Sequence, residues 1–198
     1  VARVGAYKTF QTRIAEIERL SELAPLHNPA CLAGIRVAQA ALGPDVPMVA
    51  VFDTAFHQTV PAYAHMYAIP YDLYREAHLR RYGFHGPSHR YVSLRAATHL
   101  RRPVVELKMV TCHLGSGASV CAIDHGRSVD TSLGFTPLEG LIMGTRCGDL
   151  DPGVIFNVMH AEDLSEHQLM TMLNKHSGVY GISGVSNDMR ELLEAEAR

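Results

Sequence analysis

The stretch from Pro103 to Asp130 constrains the fold more than any other. It alternates three apolar runs with two tight connections. Pro103 to Cys112 reads as a strand, and His113-Leu114-Gly115-Ser116-Gly117 as a loop. Ala118 to Ile123 is a second strand, Asp124-His125-Gly126 a turn, and Arg127 to Asp130 a third strand. An Asp-x-Gly turn between short β-rich runs is a hairpin signal. Helical patterns surround this unit. Ile14, Ile17, Leu20 and Leu23 recur at helical spacing within Thr12 to Leu23. Ala30 to Leu42 is a second helix, ended by Gly43-Pro44. Ser88 is placed to cap a helix running to about Leu100, and helices are expected over Thr136 to Met143, Pro152 to Met159, Ser165 to Lys175 (with Gly178 just past its end) and Met189 to Ala197. Val46 to Phe52 is a compact apolar run suited to a buried strand, with Asp53 at its carboxyl end. Pro61 to Arg81 supports only short helical pieces, and Arg80 to Gly86 reads as a strand turning into a loop. Strands and helices thus intermingle, and the class is α/β with a mixed sheet.

A chain of 198 residues suffices for one large domain or for pieces of two. It is 47% hydrophobic and 19% charged, an ordinary globular balance. A net charge of −2 gives no basic excess toward nucleic acid or an anionic membrane surface. No apolar run approaches the roughly 18 residues of a membrane-spanning helix. Val1-Ala2-Arg3-Val4 does not open a signal peptide. There is no initiator Met, so the chain is expected to be a fragment or to lack residues before Val1. Cys31, Cys112, Cys121 and Cys147 form no Cys-x-x-Cys pair, which suits free thiols in a reducing cytoplasm.

Four segments could carry chemistry. In His113 to Gly117, glycines let the backbone approach a ligand, and the amides of such a turn can cradle a phosphate; the same spacing also makes ordinary tight turns. Asp53, in Val51-Phe52-Asp53-Thr54, stands where ligands bind in open α/β sheets, or else caps a helix. His85 and His89 have i, i+4 spacing, but Gly86 and Pro87 intervene and no acidic residue completes a zinc motif. A loop histidine donating to an anion suits His85 better, and a structural hydrogen bond suits His89. Arg146 lies between glycines in Gly144-Thr145-Arg146-Cys147-Gly148-Asp149. Its guanidinium fork suits phosphate or carboxylate oxygens, or a salt bridge to Asp149 or Asp151.

In this order, with these flanks, the segments resemble the acetate kinase family. The matching stretches are Ala24 to Pro29, Val51 to Thr59, Arg81 to His89, His113 to Ala118 and, most specific, Ser128 to Asp151, read as SVDTSLGFTPLEGLIMGTRCGDLD. The resemblance runs from about Ser21 to the end. It implies the ribonuclease-H-like fold of the acetate and sugar kinase, heat-shock protein and actin superfamily, with two such domains around a cleft, usually in a cytoplasmic homodimer. Residues 1–55 would end the N-terminal actin-like domain. Residues 56–198 would form most of the C-terminal nucleotide-binding one.

The resemblance further implies reversible phosphoryl transfer between ATP and acetate, with Mg²⁺ on the nucleotide. Asp53 would be the active-site carboxylate, and His85 and Arg146 would stabilise the transition state. His113, Leu114, Gly115, Ser116 and Gly117 would bind nucleotide phosphates, and Asp188, Met189 and Arg190 would lie beside the adenosine. Leu26, His27, Phe84 and Pro137 would line the substrate pocket. No metal ligand is assigned. The chain departs from the family pattern in having Ser116 for the usual Asn, Pro87 for Thr and Cys147 for Ser. The family's Asn-rich N-terminal turn, an upstream arginine, the later glycine-rich adenosine motif and a C-terminal glutamate have no counterpart here, so the chain is expected to carry about half of a site. A propionate kinase, a non-catalytic nucleotide-binding remnant and a histidine-based metallohydrolase are the competing readings.

Overall fold

The structure is a computed structural model that describes residues 14–19, 21, 28–43, 46 and 48–197. The chain divides into two compact units, Val1–Ala55 and Phe56–Arg198.

The first unit holds α1 (Ile14–Arg19) and α2 (Asn28–Leu42). Their apolar faces bury Ile17 and Leu32. The Asn28 amide donates to the Ile17 carbonyl, and Arg36 pairs with Glu18 at 2.9 Å on the surface. Gly43 ends α2 at φ 78°, a left-handed position that glycine adopts without a Cβ clash, with its N–H on the Gln39 carbonyl. The strand expected over Val46 to Phe52 is not formed: of the described residues there, only Val49 makes a bridge, and Val49 and Val51 are exposed. A strand needs a paired neighbour, and Pro47 has no amide proton to offer one. Asp53 lies in the turn that follows.

The second unit is built on a three-stranded antiparallel sheet in the order β1 (Lys108–Leu114), β2 (Ala118–Asp124), β3 (Arg127–Thr131). The glycine loop and the Asp124-His125-Gly126 turn join the strands as the sequence predicts. The first strand starts five residues late, because Val104–Glu106 winds into a 3₁₀ turn after Pro103. A 3₁₀ turn at Ala55–Thr59 and two short helices, α3 (Ala62–His65) and α4 (Tyr71–Arg75), precede the sheet. The expected strand at Arg80 to Gly86 is irregular instead, its amides at Tyr82 and Gly83 both donating to the Gly134 carbonyl.

The 15-residue helix α5 (Gly86–Leu100) covers the sheet. It buries Gly86, His89, Ser93 and Ala97, a stripe at three- and four-residue spacing. Ser88 does not cap it. The cap is His85, three residues earlier, with Pro87 in the first turn where its missing N–H costs nothing. Beyond the sheet come α6 (Pro152–Ala161), α7 (Glu166–Lys175), α8 (Gly178–Ser183) and α9 (Met189–Glu196). Asp151 caps α6, Ser165 and Gln168 form a capping box on α7, and Asp188 caps α9.

The helix expected over Thr136 to Met143 is absent. That segment is an irregular loop, and side chains hold both it and the backbone leading into it. Arg81 Nη1 donates to the carbonyls of Thr131 and Ser132 at 3.2 Å, and Tyr67 Oη accepts the Phe135 amide at 2.8 Å. Asp149 Oδ1 accepts the Gly140 amide. Glu139 ties the clamp together by accepting from both Arg81 and Tyr67. Among the described residues no helix is long and apolar enough to cross a membrane.

Candidate active site

Three segments of the second unit converge at Gly117. A β-carbon there would stand 3.4 Å from Arg146 Nη1 and 3.5 Å from His85 Cε1 and Nε2. The glycine loop, His85 and Arg146 therefore face one another across a space the width of one small group.

Each member is held by a different device. The loop closes on itself through Gly115 N–H to the Gly117 carbonyl at 3.0 Å. It is fastened to the Arg146 segment through Gly144 N–H to the Ser116 carbonyl, also 3.0 Å. His85 takes the N-cap position of α5 at φ 58°, a left-handed conformation uncommon for a residue with a Cβ. The buried His57 holds the residue before it. His57 Nε2 lies 2.9 Å from the Phe84 carbonyl, which can only accept, so that nitrogen carries the proton, and Nδ1 takes the Ser128 hydroxyl at 2.8 Å. The His85 ring stacks on His113 with centroids 4.0 Å apart, and its Nδ1 is 2.8 Å from Ser119 Oγ. His113 Nδ1 in turn meets Ser88 Oγ at 2.9 Å.

Arg146 sits on a turn sewn to two helices. Cys147 N–H bonds the Leu173 carbonyl of α7, while Val179 and Tyr180 of α8 donate to the carbonyls of Met143 and Gly144. Gly178 makes this docking possible: it has φ 64°, and a β-carbon there would lie 2.2 Å from the Met143 carbonyl oxygen. Arg146 Nη1 also donates to the Pro137 carbonyl at 3.1 Å. The salt bridge to Asp149 or Asp151 that the sequence allowed is not made. Among the described residues Arg146 has no acidic partner, because Asp149 accepts from Gly140 and Asp151 caps α6. Phe84 packs, with Leu141, against a buried cluster of Ala118, Leu133 and Met143 on the same side.

The segment before α9 also reaches this region: Asn187 Cβ would be 3.5 Å from a β-carbon on Gly144. Asp188 and Arg190 pair at 2.6 Å beside it. The Arg190 guanidinium and amide hold the Asp188 carboxyl down to about 2. Leu114 is exposed at the end of β1, 77% accessible. Asp53 belongs to the first unit. Leu26 and His27 lie outside the described residues.

The sequence reading did not single out Thr111 and Ser119, and it took Ser88 only as a helix cap. Their signal is a polar side chain within an otherwise apolar strand or helix face that must be buried. Thr111 and Ser119 are 6% and 0% exposed. His89, expected to make a structural hydrogen bond, makes two. Burial, with His57, His85 and His113 around it, pushes its pKa down to about 4.

Around Gly117 the functional groups are donors: amides, an imidazole and a guanidinium. They suit an anion with several oxygens. Among the described residues no group of three or more His, Cys, Asp or Glu is placed to hold a metal ion.

The sequence model described as the acetokinase family matches residues 9–198. The chain is 59% identical over 182 residues to the acetate kinase of Caldanaerobacter subterraneus subsp. tengcongensis, covering 92% of this chain and 45% of that protein. It is 61% identical over 180 residues to the acetate kinase of Thermotoga maritima, covering 90% and 44%. Among solved structures, the acetate kinase of Porphyromonas gingivalis superposes with a TM-score of 0.92 at 47% identity, covering 98% of this chain and 49% of that one. A propionate kinase from Francisella tularensis subsp. tularensis SCHU S4 superposes with a TM-score of 0.90 at 45% identity, covering 97% and 49%. The chain thus spans about half the length of the relatives it matches.

Proposed function

Because this chain belongs to the acetokinase family, we propose that the full-length protein is an acetate kinase, catalysing reversible phosphoryl transfer between ATP and acetate. An acetate oxygen attacks the γ-phosphorus, the bond to the ADP oxygen breaks, and acetyl phosphate and ADP result. The observation that carries the reading is the meeting of His85, Arg146 and the glycine loop around Gly117.

Such a transfer asks the protein for position and charge rather than covalent chemistry. Arg146 and His85 donate to the equatorial oxygens as charge develops there. His113, Leu114, Gly115, Ser116 and Gly117 hold the nucleotide phosphates, Ser116 through its hydroxyl as well as its backbone. Asp188, Met189 and Arg190 flank the adenosine. Charge on the nucleotide phosphates is neutralised by Mg²⁺ when bound. The donor set described above fits an ion that arrives on the nucleotide and keeps several waters better than an ion caged by this chain.

Asp53 is read as the active-site carboxylate, but not as a base. Carboxyl groups have reference pKa values near about 4, so acetate is already ionised at pH 7. Orienting a cationic group or a hydrated Mg²⁺ suits Asp53 better. Full turnover in Asp53→Asn would remove it from the mechanism.

Leu26, His27, Phe84 and Pro137 are read as the acyl pocket. The likeness to a propionate kinase favours a second substrate. One methylene is worth only about 1–3 kcal/mol in such a pocket, so the two acids would compete within roughly two orders of magnitude. We read the protein as a cytoplasmic homodimer; the four free cysteines support a reducing compartment.

The test is ATP formation from acetyl phosphate and ADP with Mg²⁺ by the full-length protein, repeated with propionyl phosphate. Activity that falls when His85 or Arg146 is replaced supports the reading, and no ATP from either acyl phosphate overturns it.

A further inference from the structure

We propose that Thr111, His89 and Ser119 are positioning residues that hold His85 in one tautomer, with its proton on Nε2, the nitrogen beside the glycine loop. The inference rests on the reading of His85 as a donor to the transferring phosphoryl group.

The three side chains form a line behind His85. Ser119 Oγ is 2.8 Å from His85 Nδ1 and 2.8 Å from His89 Nε2, and His89 Nδ1 is 2.8 Å from Thr111 Oγ1. Strand register builds the line. His113 of β1 stands opposite Ser119 of β2, and Thr111 lies two residues from His113, so all three share one sheet face. Helix α5 covers that face, placing His89 one turn after His85. Ser119, His89 and Thr111 are all buried.

A hydroxyl carries one proton, so the line can run in two directions. Running toward the loop, the Thr111 hydroxyl donates to His89 Nδ1. His89 Nε2–H then donates to Ser119 Oγ, and the Ser119 hydroxyl donates to His85 Nδ1. Every proton has an acceptor, and the remaining proton of His85 sits on Nε2. Running the other way, His85 Nδ1–H donates to Ser119, Ser119 to His89 Nε2, and His89 Nδ1–H to Thr111. The Thr111 hydroxyl proton is then stranded, because Thr111 Oγ1 has no second hydrogen-bond partner among the described residues. A buried polar hydrogen without an acceptor is strongly disfavoured. The reversed line would also aim the Nε2 lone pair at an anion.

His89 must be neutral for the first direction, since a charged ring would donate from both nitrogens. Its burial among His57, His85 and His113 keeps it so at pH 7. Stacking on His113 fixes the plane of the His85 ring, so the tautomer decides what His85 presents to the loop.

The first experiment needs no variant: two-bond ¹H–¹⁵N correlation spectra of the histidine-labelled full-length protein near neutral pH. The expected result is a protonated Nε2 and a bare Nδ1 on both His85 and His89. A His85 protonated at Nδ1 overturns the proposal. In Ser119→Ala the His85 signals should shift toward a tautomer mixture, and kcat should fall on the order of 10–100-fold with little change in KM, the range by which partners orienting a metal-bound histidine act. Thr111→Val should do the same to a lesser degree, and Thr111→Ser should restore both readouts; this pair carries the test if Ser119→Ala does not fold. A shifted tautomer with unchanged kcat also overturns the proposal. His85→Ala separates the two ideas. Full turnover there would remove the donor role itself, whereas an Nδ1-protonated His85 in an enzyme that needs His85 would remove only the tautomer assignment.

Discussion

Replacing Gly117 by alanine would place a methyl group 3.4 Å from Arg146 Nη1 and 3.5 Å from His85 Nε2. Those are ordinary van der Waals separations, so the folded chain has room for it. Gly117 is not among the glycines with positive φ, so an alanine there meets no backbone strain. By itself the change should be neutral or stabilising by about 0.4–1 kcal/mol, because alanine narrows the unfolded ensemble. A phosphoryl oxygen bridging the same two donors must come within about 2.7–2.9 Å of each nitrogen. The methyl occupies the space that oxygen needs. Losing one donor of this kind costs roughly 10²–10³ in rate, about 2.7–4 kcal/mol. Turnover in Gly117→Ala should therefore fall at least about 100-fold. The assay is ATP formation from acetyl phosphate and ADP by the full-length variant, run beside a thermal melt. Full turnover would show that transfer does not occur between His85 and Arg146. Lost turnover with a lowered melting temperature would show that the contact distances had been misjudged and that the defect lies in folding.

Arg146→Ala should lose on the order of 10²–10³ in kcat with a smaller change in nucleotide affinity measured calorimetrically; equal losses in both would refute a role confined to the transition state. Gly178→Ala should destabilise the protein by on the order of 3 kcal/mol, since its β-carbon would overlap the carbonyl oxygens of Met143 and Arg146 at 2.2 and 2.6 Å from a left-handed backbone, and an unchanged denaturant midpoint would contradict this. His89 gives the protein a pH dependence of known sign. Its pKa falls from 6.5 to about 4 on folding, so the unfolded chain binds a proton there that the native one does not. Its contribution is full above 6.5 and is lost as pH falls toward about 4, at about 1.4 kcal/mol per pH unit. Denaturant unfolding at pH 7 and pH 5 should show a smaller loss in His89→Gln than in the wild type, and equal losses would remove His89 as the cause.

Local patterns were legible wherever the forces that decide them are local. The Asp124-His125-Gly126 turn, the Gly43 stop and the Ser165 start are each set by residues within about four positions, and all are found. Thr136 to Met143 shows the opposite case. Its apolar residues suggested a helix, yet its Glu139 side chain is bound by Tyr67 and Arg81, more than fifty positions away, and no short window of sequence contains these partners. The Val46 to Phe52 run shows that apolarity alone does not make a strand: of its described residues only Val49 makes a bridge.

The candidate site divides along the same line. His85, Arg146 and the glycine loop each had a bland alternative, and sequence spacing could not choose between them. Distances across the fold bear on one of those alternatives: among the described residues Arg146 has no acidic partner, Asp149 and Asp151 are engaged elsewhere, and its Nη1 lies beside Gly117. What sequence could not supply is the orientation of protons. Ser119 reads as one more small residue in an apolar strand until register sets it opposite His113 and helix α5 brings His85 and His89 to its two sides. A candidate histidine could be picked from a motif. Which of its nitrogens bears the proton is decided by Thr111, whose single hydroxyl proton has one place to go.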